Sequence, residues 1–373
     1  MIVIDTLTIK EILSKMGKCL GNDKNVPITQ LLHIYTDANK LIFVATDEIN
    51  ALKYTYEADE DLDSLNIAVL ADQFIKLVSK FSTKDIEIGV SDSGNELIVN
   101  ANGLYKLSLP LNSDGQPIKF PELPMIKKAS SVVIDENSVF YGDPSVIISA
   151  SKYAEGAIMK RSIDLQIEDY PRTNYYFDNN GCITLDGYKA TWVKTNDFKY
   201  SALMDPSTIK LLPILKNDNF KSYKADDILV FSCDNVELYS KCSEGIDAYP
   251  YEVAVSLLDQ NMEEFVSVAA SGFLSALDRL KLFITSFDDN CITLTFNEDG
   301  MFAKTRSGAC IEQIAADKLN TNFVCDIDID TLISQLKCLG DSVVKLGFGD
   351  NDIIQLICDD VKQLVVLCNN DEE

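Results

Sequence analysis

Asp326, Asp328 and Asp330 alternate through the stretch VCDIDIDTLISQL, so an extended backbone would set three carboxylates on one side of a strand, a donor set suited to a divalent cation. The same spacing also describes a solvated strand face that ends in Asp330 as the N-cap of a helix over TLISQLKCL. The single histidine, His33, alternates with apolar neighbours in ITQLLHIYT and reads as a structural strand residue. One histidine excludes multi-histidine zinc sites, and Ser/His/Asp catalysis would have to use His33 itself. No G-x-S-x-G, Walker P-loop or G-x-G-x-x-G occurs, so phosphate-cradling and acyl-transfer enzymes lose their usual signatures. The ten cysteines include no C-x-x-C pair and read as reduced, intracellular thiols. These residues argue against catalysis and call for no metal or other cofactor.

Charge carries more information. With 33 basic against 58 acidic residues the chain holds −25, which would repel nucleic acid if spread evenly. Six amphipathic windows depart from that balance: residues 8–20, 70–84, 145–161, 205–217, 268–286 and 328–338 hold fourteen Lys and Arg against seven Asp and Glu, leaving −32 on the remainder. The cations are Lys10, Lys15, Lys18, Lys76, Lys80, Lys84, Lys152, Lys160, Arg161, Lys210, Lys216, Arg279, Lys281 and Lys337. Flexible lysine charges suit sequence-blind attraction to phosphates better than the bidentate base reading at which arginine excels. Each lysine alone could merely solvate a helix face; their segregation in an acidic chain favours a cationic surface for DNA.

The elements that must position these charges form a threefold repeat. A helix opens each block (8–20, 145–161, 268–286) and an alternating strand pair follows (39–56, 181–195, 290–305), with CITL recurring verbatim at 182–185 and 291–294. A second helix (70–84, 205–217, 328–338) then leads into strands broken by a turn (85–111, 227–242, 342–368). Pro213 should split or kink the second helix of the middle block. The Pro-bearing stretches KFPELPMIKK (119–128) and DAYPYEVAVSLLDQNMEE (247–264) are the natural boundaries, giving expected domains 1–125, 126–256 and 257–373. The fold class is therefore α+β: three similar domains, each with two helices packed on antiparallel sheets. With 46% hydrophobic and 24% charged residues the chain should fold throughout. Neither a basic-then-apolar leader nor a ~20-residue apolar run is present, so a soluble, cytoplasmic protein without membrane contact is expected.

Size extends the argument. A domain of this length has an outer radius of roughly 17–18 Å, so six in a ring leave a hole of about that radius while three leave almost none. A DNA duplex of about 10 Å radius needs six, which two chains joined head to tail would supply.

With repeats, size and charge together, the chain resembles the bacterial-type sliding clamp, the beta subunit of DNA polymerase III. The segments that carry the likeness are LIFVATDEINALKY (41–54), VLADQFIKLVSKF (69–81), KFPELP (119–124), ITLDGYKA (183–190) and LISQLKCLGDSVVKLGF (332–348), matched in order and spacing nearly end to end. The resemblance implies the ring-forming DNA-clamp fold, a homodimer whose helices line the hole, no catalysis, and processivity gained by encircling double-stranded DNA without sequence preference. It implies head-to-tail closure through Leu107 and Leu109 against Phe283 and Ile284. It further implies a pocket for short hydrophobic peptides of DNA polymerase and clamp loader, at Gly187, Tyr188, Lys189, Ala190, Pro250, Val255, Val365, Val366 and Leu367. GYKA stands where the family commonly has G-H-R-L, and LCNNDEE where it commonly has a Met/Pro/Arg-containing tail. That departure would alter the peptide preference and would suit a phage- or plasmid-encoded clamp. The competing readings are a repeat-built scaffold that binds no DNA and a divalent-metal hydrolase on Asp326, Asp328 and Asp330.

Overall fold

The computed structural model describes residues 1–21, 23, 25–215, 219–316, 322–349 and 352–368; Lys216 and the tail 369–373 lie outside the described residues. One order of elements runs through the chain three times. The first pass is β1 (Ile2–Asp5), α1 (Thr6–Met16), β2 (Leu31–Asp37), β3 (Lys40–Thr46), β4 (Asn50–Glu57), β5 (Asn66–Leu70), α2 (Ala71–Ser79), β6 (Asp85–Val90), β7 (Glu96–Asn100) and β8 (Leu104–Ser108). A linker helix, α3 (Pro124–Ser131), follows. The second pass is β9 (Phe140–Gly142), α4 (Ser145–Ala154), β10 (Tyr175–Asp178), β11 (Gly181–Leu185), β12 (Lys189–Lys194), β13 (Ala202–Met204), α5 (Pro206–Leu211), β14 (Phe220–Ala225), β15 (Ile228–Cys233) and β16 (Val236–Lys241). After the linker helix α6 (Tyr251–Leu258) come β17 (Glu264–Ala269), α7 (Ala270–Lys281), β18 (Cys291–Asn297), β19 (Gly300–Thr305), β20 (Ile311–Ile314), β21 (Phe323–Asp328), α8 (Ile329–Leu339), β22 (Val343–Phe348), β23 (Ile353–Cys358) and β24 (Val361–Val366).

The helices differ from the sequence expectation mainly at their ends. The helix read over 145–161 stops at Ala154 and continues as a 3₁₀ turn, Glu155–Ala157. Gly156 lies so close to α8 that a Cβ there would stand 2.6 Å from the Ser334 carbonyl oxygen. Lys160 and Arg161 consequently fall in irregular chain. The helix read over 268–286 ends at Lys281. Pro213 acts as its chemistry requires: α5 ends at Leu211 and a 3₁₀ turn, Leu212–Leu215, takes over. Asp328, not Asp330, caps α8, its carboxylate accepting from the Thr331 N–H at 2.7 Å, because the helix begins at Ile329. The linker helices α3 and α6 were not foreseen.

The chain divides into two compact units, Met1–Ser145 with Pro206–Cys242 and Val146–Asp205 with Ser243–Glu373, so the second pass is shared between them. The first unit holds a four-stranded sheet, β1-β6-β7-β8, and an eight-stranded sheet, β5-β2-β3-β4-β16-β15-β14-β9. The second holds β13-β10-β11-β12-β24-β23-β22-β17 and a four-stranded sheet, β20-β19-β18-β21. All pairings are antiparallel, and the residues that cover the helices' apolar stripes alternate along the strands: Ile86 and Ile88 on β6, Leu97 and Val99 on β7. Helix α1 buries Ile9, Ile12, Leu13 and Met16 and lies beside α2, which buries Phe74 and Val78; α7 and α8 likewise lie side by side, burying Phe273 and Leu277 on one and Leu332 and Leu336 on the other.

Each eight-stranded sheet is two four-stranded halves joined at one seam. In the first unit β4 pairs with β16, from Val236↔Tyr54 to Ser240↔Asn50; in the second β12 pairs with β24, from Lys189↔Val365 to Val193↔Val361. The order of strands makes β4, β12 and β20 one class of edge, and β8, β16 and β24 the other. Two seams use four of these six strands. Strands β8 and β20 remain at the open edges of their sheets. Among the described residues no helix is long and apolar enough to cross a membrane.

Candidate functional site

Helical periodicity separates a buried apolar stripe from a polar side that carries exposed cations, as α2 illustrates. On α2 the buried Ala71, Phe74 and Val78 leave Asp72, Gln73, Lys76 and Ser79 exposed, with Lys80 just past the end. Lys18, Lys80, Lys84, Lys152, Lys160, Lys210 and Lys337 are exposed and form no ion pair among the described residues. The other expected DNA-facing residues are engaged within the chain. Lys10 donates to the Phe81 carbonyl oxygen at 2.6 Å, Lys15 pairs with Glu11 at 2.8 Å and sits over the Tyr54 ring, and Lys76 pairs with Asp72 at 2.7 Å. Arg279 grips Glu312 through two 2.8 Å bonds, tying α7 to β20, and Lys281 pairs with Asp330. Arg161 bonds Thr173, Asn174 and the buried Asp205, which makes it a pin within its unit.

The three aspartates that suggested a cation site are each committed. Asp326 accepts from Arg306 at 3.0 Å, Asp328 caps α8 and accepts from Asn290 at 2.6 Å, and Asp330 faces Lys281. No group of His, Cys, Asp and Glu able to hold a metal ion occurs among the described residues. His33 stacks on Tyr35 and Phe120 with centroids 4.7 and 4.8 Å away, and its Nε2 lies 2.9 Å from Asn66 Oδ1; burial holds its pKa below the usual imidazole value. All ten cysteines are free thiols, and burial pushes those of Cys19 and Cys182 well above the usual range.

The expected pocket residues gather at the second unit's seam. The turn Asp186–Tyr188 needs Gly187, whose φ is +104°, and Asp186 Oδ1 accepts from the Tyr188 and Lys189 N–H groups at 3.0 and 3.1 Å. The Val366 N–H donates to the Tyr188 carbonyl at 2.8 Å, and Ala190 faces Leu364 across the seam. Above this face lies α6, with Pro250 at its N-cap and Val255 half-buried on its flank. Ala190, Trp192, Leu364, Tyr249 and Ile183 form a buried apolar core with Ala254 and Leu258 of α6, and half-buried Tyr176, Leu185, Ile246, Tyr251, Val255 and Val366 pack against it. The Tyr176 ring stacks on Tyr249 and leans on Tyr251, with centroids 5.0 and 4.9 Å away. Asn180 Nδ2 donates to the Tyr251 hydroxyl at 2.9 Å, and burial pushes that phenol up to about 12.

Two of the expected pocket residues are turned away. Lys189 reaches Ser334 Oγ at 2.8 Å, on the α8 side of the sheet where Thr191 bonds Gln335, and Val365 is fully buried. Period-two alternation accounts for both, since Ala190 and Leu364 hold the opposite face. Leu367 is half-buried, its N–H bonded to the Asp352 carbonyl at 2.8 Å, and Tyr188 is exposed. The aromatic cluster of Tyr176, Tyr249 and Tyr251 was missed; the Tyr-Pro-Tyr run at 249–251 was its sequence signal.

At the open edges the expected residues are again sorted by alternation. Leu107 and Leu109 are buried inside their own unit, Leu107 facing Leu97, so β8 offers outward Leu104, 65% exposed, together with Lys106 and Ser108. Phe283 is exposed and Ile284 half-buried just past α7, where Leu282 and Phe287 are exposed too. Strand β20 presents Ile311, 65% exposed. Asp288 pins the segment after α7: it accepts from Ser307 N at 2.6 Å and from Thr285 N and Oγ at 2.8 and 2.7 Å, which holds its carboxyl well below the usual range.

No protein-family model matches the chain, and no curated protein matches it in sequence. Solved structures do. The chain is similar to the beta subunit of DNA polymerase from Streptococcus pyogenes (14% identity, TM-score 0.81, 98% of this chain and 99% of that one). It is also similar to the DNA polymerase sliding clamp of Bacillus subtilis (17%, 0.79, 98% of each) and the DNA polymerase III subunit beta of Pseudomonas aeruginosa (14%, 0.81, 98% and 99%). At such identities the likeness speaks for architecture, and it does so along nearly the whole length: this chain has the fold of the DNA polymerase beta-subunit sliding clamps.

Proposed function

We propose that the chain is a DNA sliding clamp, a non-catalytic processivity factor that works as a head-to-tail homodimer closed around duplex DNA. The observation that carries this reading is the seam pattern. Two of three equivalent junctions are made within the chain, and the two strands left over, β8 and β20, are one of each edge class. Pairing β8 of one copy with β20 of the next repeats the existing junction, and doing so twice closes a ring with six seams. Exposed Leu104 on β8, and Ile311 on β20 with Leu282, Phe283 and Phe287 just past α7, the helix that contacts β20, would supply apolar cover for that joint. On this reading the domains are 1–125, 126–256 and 257–373.

The seven unpaired lysines would face the duplex. Their contacts would be loose, partly water-mediated and without register, so the ring slides instead of stopping. The acidic remainder of the chain keeps DNA from binding elsewhere. A short hydrophobic peptide from a polymerase or clamp loader would dock against the half-buried Val255 and Val366 that flank the apolar core under α6. We place the protein in the cytoplasm as a soluble replication factor. The test is topological: retained on nicked-circular DNA, the protein should be released when that circle is cut. Equal retention on linear and circular DNA would refute the proposal.

A further inference from the structure

The first unit holds a cavity of about 450 Å³ lined by His33, Tyr35, Val44, Phe120, Leu123 and Ile126. Its place in the repeat is specific. His33 pairs with Ala68, three residues before α2; Tyr176 pairs with Leu203, three residues before α5. His33 and Tyr176 therefore hold one repeat position. Phe120–Pro121 in the first linker matches Tyr249–Pro250 in the second, and Phe120 stacks on His33 as Tyr249 stacks on Tyr176. Helix α3 packs over β15 and β16 and α6 over β11, β12 and β24, each covering its own seam.

One difference opens the first site. After Pro250 comes Tyr251, whose ring leans on Tyr176 and helps fill the space; after Pro121 comes Glu122, exposed and paired with Lys127 at 3.1 Å. The missing ring leaves a cavity within the usual size range for ligand sites. At its mouth Lys127 pairs with Glu122 and Lys128 with Asp226 and Asp227, while Lys119, exposed on the same segment, has no ion pair among the described residues.

We propose that this cavity is a second peptide-docking site, taking one aromatic or branched aliphatic side chain of an extended, acidic-flanked peptide from a partner protein. The apolar side chain would pack between Ile126 and the stacked His33 and Phe120 rings, while an acidic neighbour meets Lys119. The comparison with the Val255 pocket rests on the peptide-site reading above; the cavity and its charge do not.

The probe is acetyl-Asp-Glu-Leu-Phe-Glu-amide, titrated by calorimetry and, in parallel, by the fluorescence of Trp192. Trp192 is the chain's single tryptophan and belongs to the core on which Val255 and Val366 pack, in the other unit from the cavity, so it reports the Val255 site. The expected result is a binding event visible in heat but silent at Trp192. Ile126→Arg should abolish it, and Lys119→Glu, which leaves the apolar lining intact, should weaken it by about threefold. Heat confined to an event that moves Trp192, or Ile126→Arg and Lys119→Glu titrations that superimpose on the unaltered protein, would overturn the proposal. Val255→Arg separates the two readings. It should remove the Trp192-linked event and spare the silent one; persistence of the Trp192 response in that variant would count against the earlier pocket and leave this one standing.

Discussion

If β8 and β20 close the ring, Ile311→Ser should open it. Ile311 is 65% exposed in the single chain, so the substitution has little to disturb within its own unit and should shift stability by no more than about 0.5 kcal/mol. Fully burying an isoleucine gains about 1.5–3 kcal/mol, and covering two-thirds of one gains roughly 1–2 kcal/mol. A head-to-tail dimer contains the joint twice, so the loss is roughly 2–4 kcal/mol per ring, a ~30- to ~1000-fold rise in the dimer dissociation constant. Sedimentation velocity over a concentration series reads this directly, and retention on nicked-circular DNA should fall in parallel. Val133→Ser is the control, since Val133 is 96% exposed but belongs to neither edge. Refutation would come from unaltered protein that sediments as a monomer at micromolar concentration, or from Ile311→Ser dimerising as tightly as Val133→Ser.

Replacing Lys80, Lys84, Lys152 and Lys210 with alanine should lower the slope of log affinity against log salt by roughly one per lysine that meets a phosphate, with unchanged thermal stability. Arg161→Ala should do the reverse, costing about 2 kcal/mol of stability because Asp205 is buried, with a smaller effect on the salt slope; denaturant melts and DNA titrations separate the two. Asp288, whose folded pKa is depressed, contributes stability above its unfolded value that is lost as pH falls below about 4, so Asp288→Asn should flatten the acid limb of the stability curve. His33 is depressed as well, so below about pH 6.5 the unfolded chain takes up a proton that the folded one does not; stability is lost as pH falls below that value, and His33→Phe should flatten the profile there. Gln335 is fully buried, accepting from Thr191 Oγ at 2.9 Å and donating to the Ala190 carbonyl at 3.3 Å, so Gln335→Leu should cost about 1–3 kcal/mol by stranding those groups, measured by chemical denaturation.

Local pattern made the repeat legible. Amphipathic spacing located α1, α2, α4, α5, α7 and α8, and the chemistry of Pro213 foretold the break after Leu211. The seams were not legible: Tyr54 pairs with Val236 across 182 positions, and nothing in either strand's own alternation names its partner. The linker helices were hidden behind prolines that read as boundaries, although Pro124 opens α3, where its missing N–H costs nothing. Placing Leu107, Lys189 and Val365 on functional surfaces required knowing which strand face is covered on each side, and that follows from tertiary packing alone. The first helix of the middle pass ends at Ala154, just before Gly156 meets Ser334, a contact between residues 178 apart in sequence that no local pattern reveals.

The two leftover strands are unlike, and that asymmetry constrains assembly. A chain with identical ends would join face to face and stop after one union; one with complementary ends can always accept another copy, and only the angle of joining separates a closed pair from an endless fibre. Shortness and charge temper the hazard, since β20 has four residues and β8 five, with Glu312 and Lys106 lying along them. In the closed pair proposed above, parting one joint would leave the other intact, so that DNA would enter without the two chains separating.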